Sequence, residues 1–238
     1  MIEDTLNGNS PSYSESRLGI SHQVAFNMRH KILLSLQKMD EKNPSVLQDV
    51  NELDETFVLE CYKGKRLPAN STRKPRKHGA KALKRGISNE FICICSGAQR
   101  KSSVVLRAVN RAKPSSLEVS EVFDGHIADG TLLLTDGLLS YNVLETVADC
   151  SIKNITNEKT SFYNLNTVNS LNSFIKYWYK FYRGVATKFI NCYCTLFIYA
   201  FRCSSSDICN IKEMLFAPNN KLGTFSIGDV NALNLAII

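Results

Sequence analysis

Two aspartates stand where the chain could hold a metal ion. Asp54 lies in a predicted strand, on the less apolar of its two faces, and Asp136 directly follows the apolar run 131–135. In open α/β sheets ligands gather at the carboxyl ends of strands, so a strand-terminal aspartate is well placed for binding. Two carboxylates that meet there repel each other unless a cation lies between them. Mg²⁺ prefers oxygen ligands and keeps open positions for phosphate oxygens and water.

Such an arrangement would suit nucleotidyl transfer. Two ions roughly 3.5–4 Å apart stabilise the attacking and leaving oxygens of a phosphodiester. A structural interpretation stands beside this one, because Asp136 followed by Gly137 is also an ordinary turn sequence, and local spacing does not show that the aspartates meet. Strand alternation places Asp54 and Glu55 on opposite faces, so we do not expect both to enter one site from a regular strand.

A polar stripe on a predicted helix over 167–182 could complete the site. Its members recur at steps of three, four and three residues and therefore share one helical face. They are Asn166, Asn169, Ser173 and Lys176. In the functional interpretation Asn169 faces the aspartates, and Lys176, two turns later, binds phosphate with its compact ammonium group. In the structural interpretation the stripe is a solvated face.

Positive charge is concentrated in one segment. Between Cys61 and Glu90 there are ten Lys or Arg residues and no Asp or Glu, within a chain of net charge +7. Glycines and prolines interrupt this segment and predict an extended hairpin or loop. So many like charges favour an anionic partner, although a solvated loop without a partner is the alternative. Because Tyr62 and His78 are the segment's only ring side chains, we expect phosphate contacts there rather than base stacking.

The elements that must position these residues alternate between strands and helices. A period of two in the apolar residues predicts strands, and steps of three and four predict helices. Together they predict an α/β domain with a mixed sheet flanked by helices. The strands are expected from about residue 53 and over 90–96, 103–109, 131–135 and 151–156, and the helices over 117–127, 138–147, 167–182 and 186–201.

The beginning of the chain gives a weaker signal. Residues 1–17 are rich in Ser, Asn and Glu and predict a loose arm, after which Ser21 can cap a helix. Three basic residues of that helix, Arg29, His30 and Lys31, are expected on its outer side. This pattern is compatible with the second half of a helix-turn-helix and equally with any amphipathic helix.

Composition limits the class of protein. With 44% hydrophobic and 21% charged residues, the chain is expected to fold rather than remain disordered. Its longest uncharged apolar stretch, 189–201, is shorter than the roughly 20 residues that a bilayer helix needs, and no signal peptide opens the chain, so no membrane association is expected.

The eight cysteines include no C-x-x-C pair. Cys93 and Cys95 are expected in the core, and the setting is expected to be a reducing cytoplasm.

Several short motifs, taken in order, resemble a known family. They are 53–58 (LDETFV), 63–66 (KGKR), 85–90 (RGISNE), 135–137 (TDG) with Tyr141, 166–170 (NTVNS) with Lys176, and 182–189 (YRGVATKF). Upstream, 20–22 and 29–33 are similar to the segment that precedes the catalytic domain of that family. From about Leu18 to Arg202 the chain resembles insertion-sequence transposases of the ISXO type.

The resemblance implies an RNase H-like fold and a DDE-type site. Carried over by position, the catalytic residues are Asp54, Asp136, Asn169 and Lys176, and the first three hold Mg²⁺ or Mn²⁺. The implied reaction is strand cleavage at the ends of an insertion sequence, followed by attack of the freed 3′-hydroxyl on target DNA. The resemblance also implies double-stranded DNA as the partner, a homo-oligomer assembled on that DNA, and a nucleoid-associated location in the cytoplasm. The residues expected to contact DNA are Lys63, Lys65, Arg66, Arg73, Lys74, Arg76, Lys77, Lys81, Lys84, Arg85, Arg183 and Lys188.

The resemblance also divides the chain and shows departures from the family. We expect an arm and a remnant helix-turn-helix-like segment over 1–46, the RNase H-like catalytic domain over 47–202, and a divergent tail without periodicity over 203–238.

Such transposases begin with a zinc ribbon and a complete helix-turn-helix, for which the opening segment leaves no room, so a truncated copy is expected. Asn164 and Asn172 stand where the family often has histidines. A catalytically decayed DNA-binding relic and an RNase H-like nuclease are therefore the alternatives.

Overall fold

The structure is a computed structural model that describes residues 1–67, 74–76, 81–83, 86–100, 102–156, 160–202, 205–216 and 225–233. Its helices are α1 (Ile2–Leu6), α2 (Pro11–Leu18), α3 (His22–Lys42), α4 (Ser116–Phe123), α5 (Leu144–Val147), α6 (Asn166–Phe181), α7 (Ile190–Arg202), α8 (Ser205–Phe216) and α9 (Ile227–Ala232). Its strands are β1 (Val50–Leu59), β2 (Phe91–Gln99), β3 (Val104–Arg111), β4 (Thr131–Thr135) and β5 (Cys150–Asn154), and 3₁₀ segments cover Leu139–Val143 and Thr187–Phe189. The described residues form two compact units, one within 1–45 and 191–234 and the other within 46–190.

The second unit is built on a five-stranded sheet in the order β3-β2-β1-β4-β5. β1 pairs antiparallel with β2, and β2 pairs antiparallel with β3. β4 lies parallel to both β1 and β5, so the chain crosses over twice through helical segments. An antiparallel meander extended by two parallel strands, with helices on the faces, is the RNase H-like arrangement. The predicted α/β fold class is therefore confirmed.

One face of the sheet packs against α4 and the 3₁₀ segment that follows β4. Leu53 of β1 and Tyr141 of the 3₁₀ segment are completely buried, and Phe123 of α4 is 2% exposed. Cys93 and Cys95 of β2 point into the same cluster and are also completely buried. The prediction that these two cysteines serve as small core residues is confirmed.

The other face of β1 is covered by α6. Val168, Leu171 and Ile175 are completely buried and recur at steps of three and four residues, as one apolar stripe of a helix does. Near the far end of α6, the Tyr179 hydroxyl donates to the Leu59 carbonyl oxygen at 2.9 Å. The helix therefore lies along β1 and can present polar side chains to the strand over most of its length.

The first residues of the chain are helical, so the predicted loose arm over 1–17 is wrong. Ser10 caps α2 with its side chain. The buried Asp4 of α1 accepts a hydrogen bond from Ser14 Oγ and pairs with Arg17, both at 2.9 Å. These contacts join α1 to α2 and supply hydrogen-bond partners for the Asp4 carboxylate. From the polar composition of this segment, the carboxylate was expected to face solvent.

Two basic residues of α3 are buried, whereas the sequence pattern placed them on its outer side. Arg29 and His30 are 0% and 1% exposed, and Lys31 is partly exposed. Arg29 donates to the carbonyl oxygen of Asn9, and its guanidinium lies 5.4 Å from the ring centroid of Tyr193. The prediction fails for Arg29 because distant parts of the chain supply partners for its buried guanidinium. It fails for His30 because the ring Nδ1 lies 2.9 Å from the Phe26 carbonyl oxygen, one turn earlier in α3.

The described residues after Arg202 include helices that the sequence pattern did not predict. In α8, Ile211 and Leu215 are buried one turn apart. Ser226 caps α9, and its hydroxyl accepts from the Asp229 N–H. The expected tail without periodic structure is therefore wrong for these residues, whose apolar positions are too few to give a clear pattern.

The three-part division at residues 46 and 202 stays a prediction, since the compact unit that holds the N-terminal helices also takes in α7. Much of the basic segment, namely 68–73, 77–80 and 84–85, lies outside the described residues. Within the part of the chain that the structure describes, no helix has the length and apolar character needed to cross a membrane.

Candidate active site

Three carboxylates converge beside the end of β4. One oxygen atom from each of Asp54, Glu55 and Asp136 lies within 4.8 Å of the other two. Asp54 and Glu55 are partly buried, whereas Asp136 is exposed. The two aspartates therefore meet, as their strand positions suggested. Glu55 joins them, so the expectation that Asp54 and Glu55 could not enter one site is wrong.

The sheet register explains this convergence. β1 and β4 run parallel with Glu52 opposite Leu134, and β4 ends one residue later at Thr135. Asp136 therefore leaves the sheet beside Asp54, while β1 continues past its pairing with β4. β1 stays paired with β2 at Asp54 and Glu55, so the two residues keep opposite faces, and their carboxylates approach Asp136 around the edge of β1 that β4 leaves open.

The turn after β4 fixes the orientation of Asp136. Gly137 has a φ of +91°, and a Cβ atom at this position would collide with the side-chain amide of Asn154. Only glycine avoids both the backbone strain and the collision. Thr156 Oγ1 donates to the Asp136 carbonyl oxygen at 2.7 Å, and the Leu138 N–H donates to Asp136 Oδ1 at 3.3 Å. The residue is thus held by its backbone and by one carboxylate oxygen.

Asn172 of α6 orients Asp54. Its side chain is 4% exposed, and its Nδ2 donates to Asp54 Oδ2 at 2.8 Å. Its Oδ1 accepts from Ser96 Oγ at 2.8 Å, and Ser96 is the direct partner of Asp54 in the β1–β2 ladder. Because the amide is engaged at both ends, it can hold Asp54 in one rotamer without adding charge.

Burial and like charge raise the pKa of two of the three acids. For Asp54 burial is the main cause, and the charge of Asp136 acts in the same direction, while the Asn172 hydrogen bond and the Lys176 charge oppose it. The pKa of Glu55 rises to about 7, first through burial and then through the charges of Asp136 and Asp54. A bound cation would relieve the repulsion between these close carboxylates.

The donor set fits a hard divalent cation. Asp54, Glu55 and Asp136 offer only carboxylate oxygens, which are the ligands that Mg²⁺ and Mn²⁺ prefer. The exposure of Asp136 leaves the group open toward solvent and toward a phosphate. An ion held there would supply Lewis-acid stabilisation of phosphate oxygens.

We expect Glu55→Gln to remove part of the pH dependence of stability in metal-free protein. The Glu55 pKa is near 4.5 in an unfolded chain and about 7 in the folded one, so the folded state binds more protons between these values. The stability that this group contributes is present below about pH 4.5 and is lost as the pH rises through about 7. The loss is at most about 3 kcal/mol, and less after solvent screening.

Urea denaturation in a chelating buffer from pH 5 to 8 measures this effect. Wild-type protein should lose more free energy of unfolding over this range than the Gln variant does. Equal losses in the two proteins would show that Glu55 does not titrate abnormally.

The other two predicted site residues lie on the exposed side of α6. Lys176 is exposed, and its charge lowers the pKa of Asp54, so it lies close to the carboxylates. Asn169 is exposed one turn before Asn172. The amide that is hydrogen-bonded to Asp54 belongs to Asn172. The role of Asn169 as a metal ligand therefore stays a prediction.

Glu52 ties α6 to the strand that carries the site. It is completely buried, and one of its carboxylate oxygens accepts from the backbone N–H groups of Thr167 at 2.6 Å and Val168 at 3.0 Å. Its other oxygen accepts from Arg100 Nε at 3.0 Å. Leu165, the residue before the first turn of α6, provides no side-chain cap, so Glu52 fills that function from β1. Glu52 lies two residues before Asp54 and thus sets where α6 begins relative to the site.

The residues predicted to contact DNA fall into three groups: six are exposed, Arg76 and Lys188 are partly buried, and four lie outside the described residues. Lys63 reaches the carbonyl oxygens of Tyr182 and Gly184 at 3.3 and 3.5 Å. Lys188 is partly buried, and burial and the nearby Lys65 charge lower its pKa. These contacts bring the start of the basic segment beside the end of α6. The exposed members of the predicted set are Lys63, Lys65, Arg66, Lys74, Lys81 and Arg183.

Arg76 has a structural partner. Its guanidinium lies 2.5 Å from the Glu90 carboxylate, with both side chains 15% exposed, and it also donates to the Glu60 carbonyl oxygen at 2.7 Å. Arg76 therefore anchors the segment to the ends of β1 and β2, and its contact with DNA stays a prediction. Four other members of the predicted set lie outside the described residues: Arg73, Lys77, Lys84 and Arg85.

The fold and the carboxylate cluster together define an RNase H-like domain of the kind that DDE transposases contain. Residues 46–202 match the ISXO2-like transposase domain, which covers more than half of the chain. The chain belongs to this family, and the resemblance seen in its motifs is confirmed.

A chain from the crystal structure of a pre-cleavage Mos1 transpososome is 10% identical, with a TM-score of 0.27, over 84% of this chain and 74% of that one. A likeness at this level carries no argument about this protein. No curated protein matches the chain.

Sequence reasoning missed three residues around the site. Glu55 was set aside by strand alternation, which still holds because β1 stays paired with β2 there, but β4 ends before this point and leaves an edge around which carboxylates from both faces can meet. Asn172 was noted only as standing where the family often has a histidine and was given no role, although it lies one turn from Asn169 on the same predicted helix. Glu52 gave no signal, because a buried capping carboxylate looks like any other strand residue.

Proposed function

We propose that this chain is the catalytic part of an insertion-sequence transposase that binds element ends and cleaves and joins DNA strands with Mg²⁺ or Mn²⁺. The observation that carries the proposal is the convergence of Asp54, Glu55 and Asp136 at the end of β4. Membership of the ISXO2-like transposase family supports the reaction type. Double-stranded DNA as substrate, action at the nucleoid and a homo-oligomer that pairs two element ends belong to the same proposal.

The side chains divide the work. Asp54 and Asp136 hold the metal, which would polarise the phosphodiester when bound. Asn172 keeps Asp54 in place through its 2.8 Å hydrogen bond, and Lys176 provides a positive charge beside the carboxylates. Lys176 is exposed and can therefore meet a phosphate of the bound strand. Asn169 could add a neutral carbonyl ligand from the same helix.

A cleavage assay on the full chain tests this proposal. Supercoiled plasmid with Mn²⁺ or Mg²⁺ should be nicked to products that carry a 3′-hydroxyl, as shown by polymerase extension. A chelator and the Asp54→Ala variant, purified in parallel, should each abolish nicking.

Two results would contradict the proposal in different ways. Salt-sensitive DNA binding without cleavage by well-folded wild-type protein would indicate the catalytically decayed relic. Cleavage that Asp54→Ala leaves unchanged would mean that the assigned residues do not form the active site.

A further inference from the structure

The solvent side of α6 carries aromatic rings interleaved with lysines. Tyr177 is 67% exposed and Phe181 is 57% exposed, one helical turn apart. Lys176 and Lys180, also exposed and one turn apart, occupy the adjoining strip of the same helix. At a rise of about 1.5 Å per residue, the two rings are about 6 Å apart along the axis. Both can therefore contact one short stretch of a ligand.

These two rings do not build the core. The stripe of α6 that packs on the sheet is complete without them, because Val168, Leu171 and Ile175 are all completely buried. Large apolar groups left this exposed on neighbouring positions commonly mark a binding surface.

The charge around the rings selects the kind of ligand. Residues 159–206 contain no Asp or Glu, so α6 and the segments that flank it carry only positive charge. Lys180 and Arg183 are exposed and continue the basic strip from Lys176 toward the end of the helix. A polyanion with flat apolar groups would match both the lysines and the rings.

The strip begins at the carboxylate site. Lys176 is close enough to lower the pKa of Asp54, and Asn172, one turn earlier, contacts the same carboxylate. Tyr177 follows Lys176 directly in the chain. A strand that leaves the carboxylates along α6 would therefore pass Tyr177 about one and a half turns, and Phe181 about two and a half turns, beyond Asn172.

We propose that Tyr177 and Phe181 stack on unpaired bases of a DNA strand whose phosphates contact Lys176 and Lys180. The inference rests on the proposed function and specifies part of its substrate as locally single-stranded DNA next to the cleavage position. Stacking on a ring is tolerant of sequence, since every base has a π face. The surface would thus hold an opened strand end whatever its sequence.

The experiment compares single-stranded with duplex DNA of the same sequence. Fluorescence anisotropy with a labelled 12-nucleotide strand and its duplex, at fixed salt, gives both affinities for the full chain. The Tyr177→Ala/Phe181→Ala double variant should bind the single strand about tenfold or more weakly. Its affinity for the duplex should change by less than about twofold. Tyr177→Phe keeps the ring and should bind like wild type.

Trp178 supplies an internal reporter. It is the chain's one tryptophan, and its ring centroid lies 5.3 Å from that of Phe174 and 5.9 Å from that of Tyr182. Titration with the unlabelled single strand should quench its emission in wild-type protein, and the double variant should lose this quenching at the same DNA concentrations. Circular dichroism confirms that the variant keeps its helices.

The results distinguish this inference from the proposed function. If wild-type protein binds duplex and the double variant retains full affinity for the single strand, the stacking surface is refuted and the transposase proposal stands. A double variant that changes oligomeric state in light scattering but binds single strands normally would show that the rings join two copies of the chain, which also refutes the inference. If wild-type protein binds neither DNA form, the proposed function itself fails.

Discussion

Replacing Asp136 with asparagine is expected to abolish metal-dependent strand cleavage and, at the same time, to stabilise the protein when no metal is present. The three carboxylate oxygens lie within 4.8 Å of one another, so removing one charge relieves repulsion with Asp54 and Glu55. At such a distance the relief is on the order of 1 kcal/mol with water-like screening. Loss of a metal ligand removes several kcal/mol of transition-state stabilisation, so cleavage should fall about 10³-fold.

The two effects have opposite signs, which separates a catalytic role from a structural one. Thermal denaturation in a chelating buffer should give a higher midpoint for Asp136→Asn than for wild type. Addition of Mn²⁺ should then raise the midpoint of wild-type protein and leave that of the variant nearly unchanged.

Asp129→Asn is a matched control, since Asp129 is an exposed aspartate before β4 that lies outside the carboxylate group. It removes the same charge and should alter neither the metal response nor the cleavage. An Asp136→Asn protein that is less stable without metal, or that responds fully to Mn²⁺, would contradict the metal-site interpretation.

The second large effect is expected at Glu52. Substitution by alanine should lower the free energy of unfolding by about 2–4 kcal/mol, because it leaves the first N–H groups of α6 without a buried acceptor and removes the ion pair with the partly exposed Arg100. Glu52→Gln should cost less, since an amide oxygen can still accept from the N–H groups of Thr167 and Val168. Urea denaturation of wild type and both variants measures the difference.

The Gln variant also reports on positioning. If Glu52 sets the position of α6 relative to β1, the folded Gln variant should cleave DNA more slowly while binding duplex normally, because Asn172 and Lys176 shift relative to Asp54. A Glu52→Ala protein as stable as wild type would show that the first turn of α6 is held by other contacts. Arg100→Met, which removes only the ion pair, should give an intermediate loss of stability.

Much of the unit built on the five-stranded sheet could be predicted from the sequence, because its strands have strong local patterns. The run 131–135 is uniformly apolar and ends at Asp136, so both the strand and its end were predicted correctly. The stripe of α6 repeats at helical spacing over four turns, which predicted the helix to within a residue at either end. Patterns of this length predict secondary structure without knowledge of the tertiary contacts.

The helices at the ends of the chain could not be predicted in the same way. In α1 and α2 the polar Asp4 and Ser14 are buried against each other, so a composition typical of a solvated arm conceals a packed segment. Arg29 is buried in a similar manner with an aromatic ring and a carbonyl group as partners. Pairing between residues distant in the chain leaves no local periodicity to detect.

The sequence by itself determined the class of fold and the family, and it placed Asp54 in a strand and Asp136 at a strand end, because strand ends, helical spacing and ordered motifs are all local properties. Only the tertiary structure decided that Glu55 joins Asp54 and Asp136, since this depends on β4 ending beside the middle of β1. It also decided that the amide hydrogen-bonded to Asp54 is that of Asn172. Which side of α6 faces β1 depends on how the helix is rotated about its own axis, and the Glu52 contact helps to set that rotation. Such relations between separate elements are fixed by packing and are not encoded in the spacing of any one segment.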